Sequence, residues 1–124
     1  MLTELEILSF EESDNIDVFN TILKISVKEK LDQSTMKTFE AIMLTLIKGG
    51  IRKVILNLKD LKYIDSSGIG KIINITKIIR KAGGDLTITQ CNEKIYNILK
   101  LVKLDTFLKF FLTNEEGANY LRFL

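Results

Sequence analysis

Two adjacent serines near the middle of the chain have the clearest capacity for chemistry. Ser66 and Ser67 lie between Asp65 and Gly68, after an apolar segment and at the start of a run with helical spacing. Backbone N–H groups at a helix N-terminus lack intrahelical partners and favour negative charge. A hydroxyl here can cap the helix, or it can accept a phosphoryl group that the helix end tolerates. The residues alone leave both interpretations open, and capping is the commoner one.

The remaining composition excludes most enzymatic roles for these serines. The chain has no histidine, which rules out an imidazole general base, a Ser-His-Asp triad and a histidine-ligated metal. Gly68 and Gly70 are only a fragment of a dinucleotide fingerprint, and no P-loop lysine follows them. We expect Gly68 instead to permit close approach of another backbone at this turn. Cys91 is the single cysteine, so the chain forms no internal disulfide, as is typical of cytoplasmic proteins. We expect no cofactor.

Length and charge indicate one globular domain over residues 1–124. Hydrophobic residues make up 46% of the chain and charged residues 27%, which suits a folded core. A net charge of +2 is too small to indicate nucleic-acid binding by electrostatics. The N-terminus carries acidic residues where a signal peptide has basic ones, and no apolar run is long enough to span a bilayer. We therefore expect a cytoplasmic protein without membrane insertion.

The first half of the chain predicts a hairpin followed by a helix. Strands are expected over residues 5–10 and 19–27, joined by a polar turn at residues 11–15. Residues 32–35 offer several N-cap candidates before a helix that begins at Met36 and ends at two glycines. The predicted buried face of this helix comprises Met36, Phe39, Met43, Leu46 and Ile47, with Ile42 and Leu44 on other faces.

The second half alternates strands and helices. Residues 54–58 and 86–89 are predicted strands, and the near-continuous apolar content of the first indicates a central position. We interpret residues 59–64 as a connection and residues 107–112 as an edge strand. Helices are expected after the serine pair, from residue 92 or 93 to 101, and after a cap at Asn114. The fold class is α/β, with a mixed, mostly parallel sheet of four to five strands covered by about four helices. The predicted buried residues of the two central helices are Ile69, Ile72, Ile73, Thr76, Ile79, Ile95, Ile98, Leu99 and Val102.

The motifs around the serine pair resemble those of the STAS family, and within it the bacterial anti-sigma factor antagonists. The resemblance rests on residues 54–58 and 61–70, and on the helix end at residues 81–86. The Leu-Asp turn at residues 31–35 also matches the family pattern before its first helix. The similarity covers residues 22–111, and Asp-Ser-Ser-Gly in this setting is a specific motif.

The resemblance implies a cytoplasmic switch that is a substrate and not an enzyme. In the unphosphorylated form it binds an anti-sigma factor, itself a serine kinase of the histidine-kinase-like ATPase fold, and so frees a sigma factor. The kinase phosphorylates Ser67, the serine directly before the glycine, and a serine phosphatase reverses the step. The protein alone is expected to be a monomer. The expected partner surface comprises Asp32, Asp65, Ser66, Ser67, Gly68 and Lys71.

Elementary electrostatics predicts that the fold tolerates such a modification. A phosphate adds about −1.5 to −2 charges, which meet the positive end of the helix dipole. Lys71 follows Ser67 by four residues and so lies on the same helical face, within reach of the phosphate. We interpret Asp32 and Asp65 as helix-capping acids rather than a paired catalytic site. Switching is therefore expected at the partner interface, without refolding.

Three other interpretations stay open. A STAS scaffold that is never phosphorylated, such as a stressosome component or an adaptor of a lipid-transport ATPase, would use Ser67 as a cap alone. A small hydrolase using Ser67 lacks a base. A small-molecule sensor would need a binding motif that the sequence does not contain. The intact serine pair favours the switch over the scaffold.

Overall fold

The computed structural model describes residues 2–9 and 18–124. These residues form six strands, four α-helices and two short 3-10 helices, the latter at Val18–Asn20 and Leu104–Thr106. In chain order the elements are β1 (Leu2–Ser9), β2 (Ile22–Leu31), α1 (Met36–Lys48), β3 (Lys53–Asn57), β4 (Leu61–Ile64), α2 (Ser66–Lys81), β5 (Asp85–Thr89), α3 (Glu93–Leu101), β6 (Phe110–Phe111) and α4 (Asn114–Arg122).

The main sheet has the order β1-β2-β3-β5-β6. β1 pairs with β2 in antiparallel fashion, and the other neighbours are parallel. The short strand β4 lies off this path and pairs in parallel with the end of β2. These findings confirm the predicted α/β class with a mixed, mostly parallel sheet. The antiparallel hairpin partners are confirmed as well, whereas the predicted turn at residues 11–15 lies outside the described residues.

Both faces of the sheet are covered, and β3 shows why its sequence is almost continuously apolar. Val54 and Leu56 belong to a large buried cluster that includes residues of α1, α2 and α3. Ile55 belongs to a second cluster with Ala118 and Leu121 of α4. Successive side chains of a strand point to opposite faces, so the central positions of β3, residues 54–56, are all apolar.

One strand was missed and the bounds of another were predicted wrongly, because strand β4 and the end of β2 pair with each other across about 30 residues of sequence. Residues 59–64 were interpreted as a connection, but residues 61–64 form β4, whose Tyr63 and Ile64 are paired with Lys30 and Leu31. Residues 19–27 were predicted as a strand, whereas β2 starts at Ile22 and extends to Leu31. The four residues of β4 are too few to show the alternation of a strand in the sequence, and pairing with β2 is what holds them in strand conformation.

The predicted edge strand and final helix are both present, but the strand is shorter than predicted and the helix is capped by a different residue. β6 contains two residues instead of six. Thr113, not Asn114, caps α4, since its side chain accepts a hydrogen bond from the Glu116 amide at 3.1 Å. The Asn114 side chain instead accepts hydrogen bonds from Asn57 and from the Thr89 hydroxyl, at 3.0 and 2.6 Å. Asn114 thereby ties α4 to the ends of β3 and β5.

The predicted core residues of the two central helices are confirmed in part. Those that are buried are Ile72, Thr76, Ile79, Ile95 and Leu99, whereas Ile69, Ile73 and Ile98 are half-buried and pack against the core. Ile75 is fully buried, although its spacing was not assigned to the buried face. Val102 was predicted as buried, but it follows α3 and is 53% exposed. No helix in residues 18–124, the part described with side chains, is long and apolar enough to cross a membrane.

Candidate functional site

The start of α2 is fixed by Asp65 and not by either serine. The Asp65 Oδ1 atom accepts a hydrogen bond from the Gly68 amide at 3.0 Å, which is the usual geometry of a helix N-cap. Ser66 and Ser67 are the first two helical residues. Within the described part of the chain, neither serine hydroxyl has a hydrogen-bond partner. The capping interpretation of the serines is therefore wrong, because the carboxylate takes that role and leaves both hydroxyls available.

Gly68 lies against the backbone at the end of β2. A Cβ atom at this position would be 2.2 Å from the carbonyl oxygen of Leu31, closer than any real side chain is found. Gly68 is buried, and Asp65 donates its backbone N–H to the same Leu31 carbonyl at 3.4 Å. The sequence-based expectation that Gly68 permits close approach of another backbone is confirmed. This contact fixes the serine pair relative to the sheet.

The two serines differ in their exposure to solvent. Ser66 is exposed, whereas Ser67 is half-buried. The next residue, Gly68, turns into the core. At the first turn of α2, Ser66 is therefore more accessible to solvent than Ser67. The sequence alone could not distinguish the two.

The turn at residues 32–35 is held by its own side chains. The Asp32 Oδ1 atom accepts hydrogen bonds from the Ser34 amide at 3.0 Å and from the Ser34 hydroxyl at 2.7 Å. These contacts, with a smaller contribution from Lys30, hold the pKa of Asp32 below its usual value. Thr35 is the N-cap residue of α1 without a side-chain capping bond, and its hydroxyl instead bonds within the turn. Asp32 thus organises the turn, but it does not cap α1, whose N-cap is Thr35, so its interpretation as a helix-capping acid is wrong.

Asp65 joins this turn to the serine pair. While its Oδ1 atom caps α2, its Oδ2 atom accepts a hydrogen bond from the Gln33 amide at 3.1 Å. The predicted partner residues Asp32, Asp65, Ser66, Ser67 and Gly68 are therefore brought together at one end of the sheet. Sequence analysis missed Gln33, since only its backbone N–H takes part and any residue except proline provides one.

Lys71 lies one turn further along α2, where it bridges to α1. Its Nζ atom forms an ion pair with Glu40 at 2.5 Å, and the two side chains are 22% and 32% exposed. The sequence predicted that Lys71 could reach a phosphate on Ser67. In the unmodified structure its charge is paired with Glu40, so reaching a phosphate requires Lys71 to leave or share that partner.

The chain is similar to known bacterial proteins in sequence and in fold. Over 73 residues the chain is 37% identical to a candidate anti-sigma factor antagonist of Thermotoga maritima, covering 59% of this chain and 65% of the relative. The match thus spans just under two thirds of that relative's length. A crystal structure of a candidate anti-sigma factor antagonist from the same organism has a TM-score of 0.78 at 26% identity, covering 92% of this chain and 93% of the other.

The fold is also shared with SpoIIAA of Bacillus, an anti-sigma factor antagonist. Its unphosphorylated form has a TM-score of 0.77 at 18% identity, covering 99% of this chain and 98% of that one. Its phosphorylated form has a TM-score of 0.69 at 19% identity, covering 98% and 100%. The family model of the STAS domain matches residues 10–117, which is most of the sequence. The chain therefore belongs to the STAS domain family.

Proposed function

We propose that this protein is an anti-sigma factor antagonist controlled by reversible phosphorylation of the serine pair. In the unphosphorylated form it binds an anti-sigma factor that is also a serine kinase, and a sigma factor is released in the cytoplasm. A serine phosphatase restores the binding form. The single observation that carries the proposal is the exposed Ser66 beside Ser67, with free hydroxyls at a helix start fixed by Asp65. The names of the relatives support the class of partner.

The choice of acceptor within the serine pair rests on the resemblance to the family. The resemblance to the family pointed to Ser67, the serine directly before the glycine. A kinase must bring its nucleotide phosphate to the hydroxyl oxygen, and Ser66 is the more exposed of the two. Both hydroxyls are accessible at the start of α2, so we keep Ser67 as the proposed acceptor, and the more exposed Ser66 is the alternative within the same pair. The chain acts as substrate in either case, with the kinase supplying ATP and the general base.

The fold is expected to survive the modification. Three acceptor oxygens and about −1.5 to −2 charges would be added at the first turn of a sixteen-residue helix. The unpaired N–H groups and the dipole of that turn stabilise negative charge there. The buried contacts of α2 are made further along by Ile72, Ile75 and Ile79. Phosphorylation therefore adds charge at the surface without disturbing the core.

Loss of binding follows from desolvation at the interface. A partner packed on this surface covers the serine pair, and a phosphate there would have to lose its water without gaining a counter-charge. A penalty of about 3 kcal/mol weakens binding on the order of 100-fold. We assign Asp32, Asp65, Ser66, Ser67, Gly68 and Lys71 to this partner surface.

The proposal is tested by the intact mass and peptide map of the protein recovered from its native cells. We expect one phosphate, located on Ser66 or Ser67, that is absent from the corresponding alanine variant. Ser13→Ala serves as a matched control outside the motif. The unmodified protein should retain an anti-sigma factor in a pull-down, and the phosphorylated protein should not. If no growth condition gives a phosphate and binding persists, the protein is a constitutive scaffold instead.

A further inference from the structure

β6 is the last strand in the order of the main sheet, and one of its two edges is open. The Lys109 carbonyl accepts a hydrogen bond from the Ile88 amide of β5 at 3.0 Å. The Phe111 carbonyl accepts one from the Gln90 amide at 3.1 Å. Since backbone groups alternate in direction along a strand, the N–H and the carbonyl of Phe110 point away from β5. Within the described part of the chain no strand lies beyond β6, so this edge can accept a further strand.

Two aromatic pairs flank the open edge, one on each face of the sheet. Phe110 meets the ring of Tyr96 on α3 edge to face, with the ring centroids 5.4 Å apart. Phe111 packs against Tyr120 of α4, with the centroids 5.7 Å apart. All four side chains are only half-buried, and Leu112, which follows the strand, is 84% exposed. A strand added at this edge therefore contacts apolar surface on both faces.

The aromatic side chains line two cavities that adjoin at β6. The larger, beside α4, has a volume of about 710 Å³ and carries the carboxylates of Asp105 and Glu116 in its lining. The smaller, beside the start of α3, has a volume of about 360 Å³. Its lining includes Cys91 and Leu112 and is apolar or aromatic except for Glu93. The two sides of the edge thus differ, one being polar and acidic and the other mostly apolar.

The charges around the two cavities indicate what kind of segment fits them. Glu93, Asp105 and Glu116 are exposed, and none of them forms an ion pair with another described residue. Among the residues that the structure describes, Lys109 is the one basic residue in either lining, and its Nζ atom lies 5.5 Å from the centre of the Tyr120 ring. Three carboxylates against one lysine make this surface acidic, so it attracts basic side chains.

We propose that the open edge of β6 binds a segment of a partner protein as an added strand, and that this segment alternates apolar and basic residues. Its backbone pairs with the outward N–H and carbonyl of Phe110. Because successive side chains of a strand point to opposite faces, the apolar residues enter the smaller cavity and the basic residues reach the carboxylates of the larger one. Residues 10–17 of the chain itself contain four acidic residues and no basic one, so their charge does not suit this surface.

The test is an NMR titration of the isotopically labelled full chain with a blocked octapeptide that alternates valine and lysine. We expect the largest shifts at the amides of Phe110 and Leu112. Hydrogen exchange of the Phe110 amide should slow in the complex, because its N–H gains an acceptor. An octapeptide that alternates valine and glutamate is the control, and it should bind at least about tenfold more weakly because its charges are repelled.

Neutral variants test the contribution of the carboxylates. The triple variant Glu93→Gln, Asp105→Asn and Glu116→Gln should weaken binding of the valine–lysine peptide about tenfold, which is the combined effect of three exposed charge pairs. Glu115→Gln is the matched control, since Glu115 is exposed on the same first turn of α4 but lines neither cavity. This variant should bind the peptide as the unmutated chain does.

The proposal is overturned if the valine–lysine peptide leaves the Phe110 amide unchanged, if both peptides bind equally, or if the triple variant binds as well as Glu115→Gln. Association of the chain with itself through β6, measured by sedimentation and excluding the peptide, would also overturn it in favour of a second copy as the occupant. No phosphate or anti-sigma factor enters these measurements. Their outcome is therefore independent of the proposed function of the serine pair.

Discussion

Gly68 and Leu31 meet through their backbones, with no space for a side chain between α2 and the end of β2. A Cβ atom on Gly68 would lie 2.2 Å from the Leu31 carbonyl oxygen and 2.9 Å from its carbonyl carbon. Backbone cannot move aside as a flexible side chain can. The serine pair is therefore positioned by a main-chain contact.

The first prediction concerns this contact. Gly68→Ala should lower the free energy of unfolding by about 3 kcal/mol, at the upper end of the usual cost of overpacking, since α2 must shift away from Leu31. Gly70→Ala is the control, because nothing lies within 4 Å of a Cβ atom there and alanine favours the helix. That variant should gain about 0.5–1 kcal/mol. Denaturant unfolding measures both, and equal effects of the two variants would contradict the assigned contact.

The ion pair between Glu40 and Lys71 links α1 to α2. Both side chains are partly exposed, which limits the strength of the pair through solvent screening. Single alanine variants and the double variant should give a coupling energy of about 0.5–1 kcal/mol that decreases in high salt. Urea unfolding of the four proteins provides the cycle. A coupling of zero would mean that Lys71 is already free to contact a phosphate.

The pKa of Asp32 should depend on Ser34. The Ser34 hydroxyl and amide lower the pKa of this carboxyl in the folded protein from its ordinary value of 3.8. Asp32 therefore stabilises the fold fully above that value, and the stabilisation is lost as pH falls through the lower folded pKa. In Ser34→Ala the pKa should rise toward 3.8, as followed by carboxyl NMR. Thr38→Ala, an exposed change on α1, should leave the titration of Asp32 where it is.

Cys91 should be unreactive in the folded protein. Burial raises the pKa of its thiol from 9.0 to about 12, so almost no thiolate is present at neutral pH. A disulfide reagent should modify the chain slowly under native conditions and rapidly in guanidinium. The raised pKa stabilises the fold below pH 9.0, and this contribution is lost as pH rises through the folded value. Equal rates in the folded and unfolded chain would show that the thiol is accessible.

Sequence patterns predicted the elements whose signals are local. The apolar run of β3 and the glycines after α1 and α2 identify these segments without knowledge of their neighbours. β4 was missed because its strand conformation depends on pairing with the far end of β2. Val102 was assigned to the core by helical period, but α3 ends at Leu101 and the period ends with it.

The same distinction applies to the candidate site. The Asp-Ser-Ser-Gly motif predicted the position of the serines and the tight approach at Gly68, since both follow from one short stretch of sequence. The second hydrogen bond of Asp65 is to the backbone amide of Gln33. Almost any residue could supply that amide, so the residue type at position 33 does not predict the bond. Which serine is exposed was likewise undetermined, because it depends on how α2 lies against the sheet.

The main-chain contact of Gly68 and the cap supplied by Asp65 have a consequence for natural variation. Neither depends on the serine hydroxyls, so the two serines can be exchanged for alanine or an acid during evolution at little expense to folding. If the proposed function holds, one such exchange would remove the phosphorylation switch and leave the domain folded. Within the same four-residue motif, Asp65 and Gly68 hold the fold, and the two serine hydroxyls are free for the proposed modification.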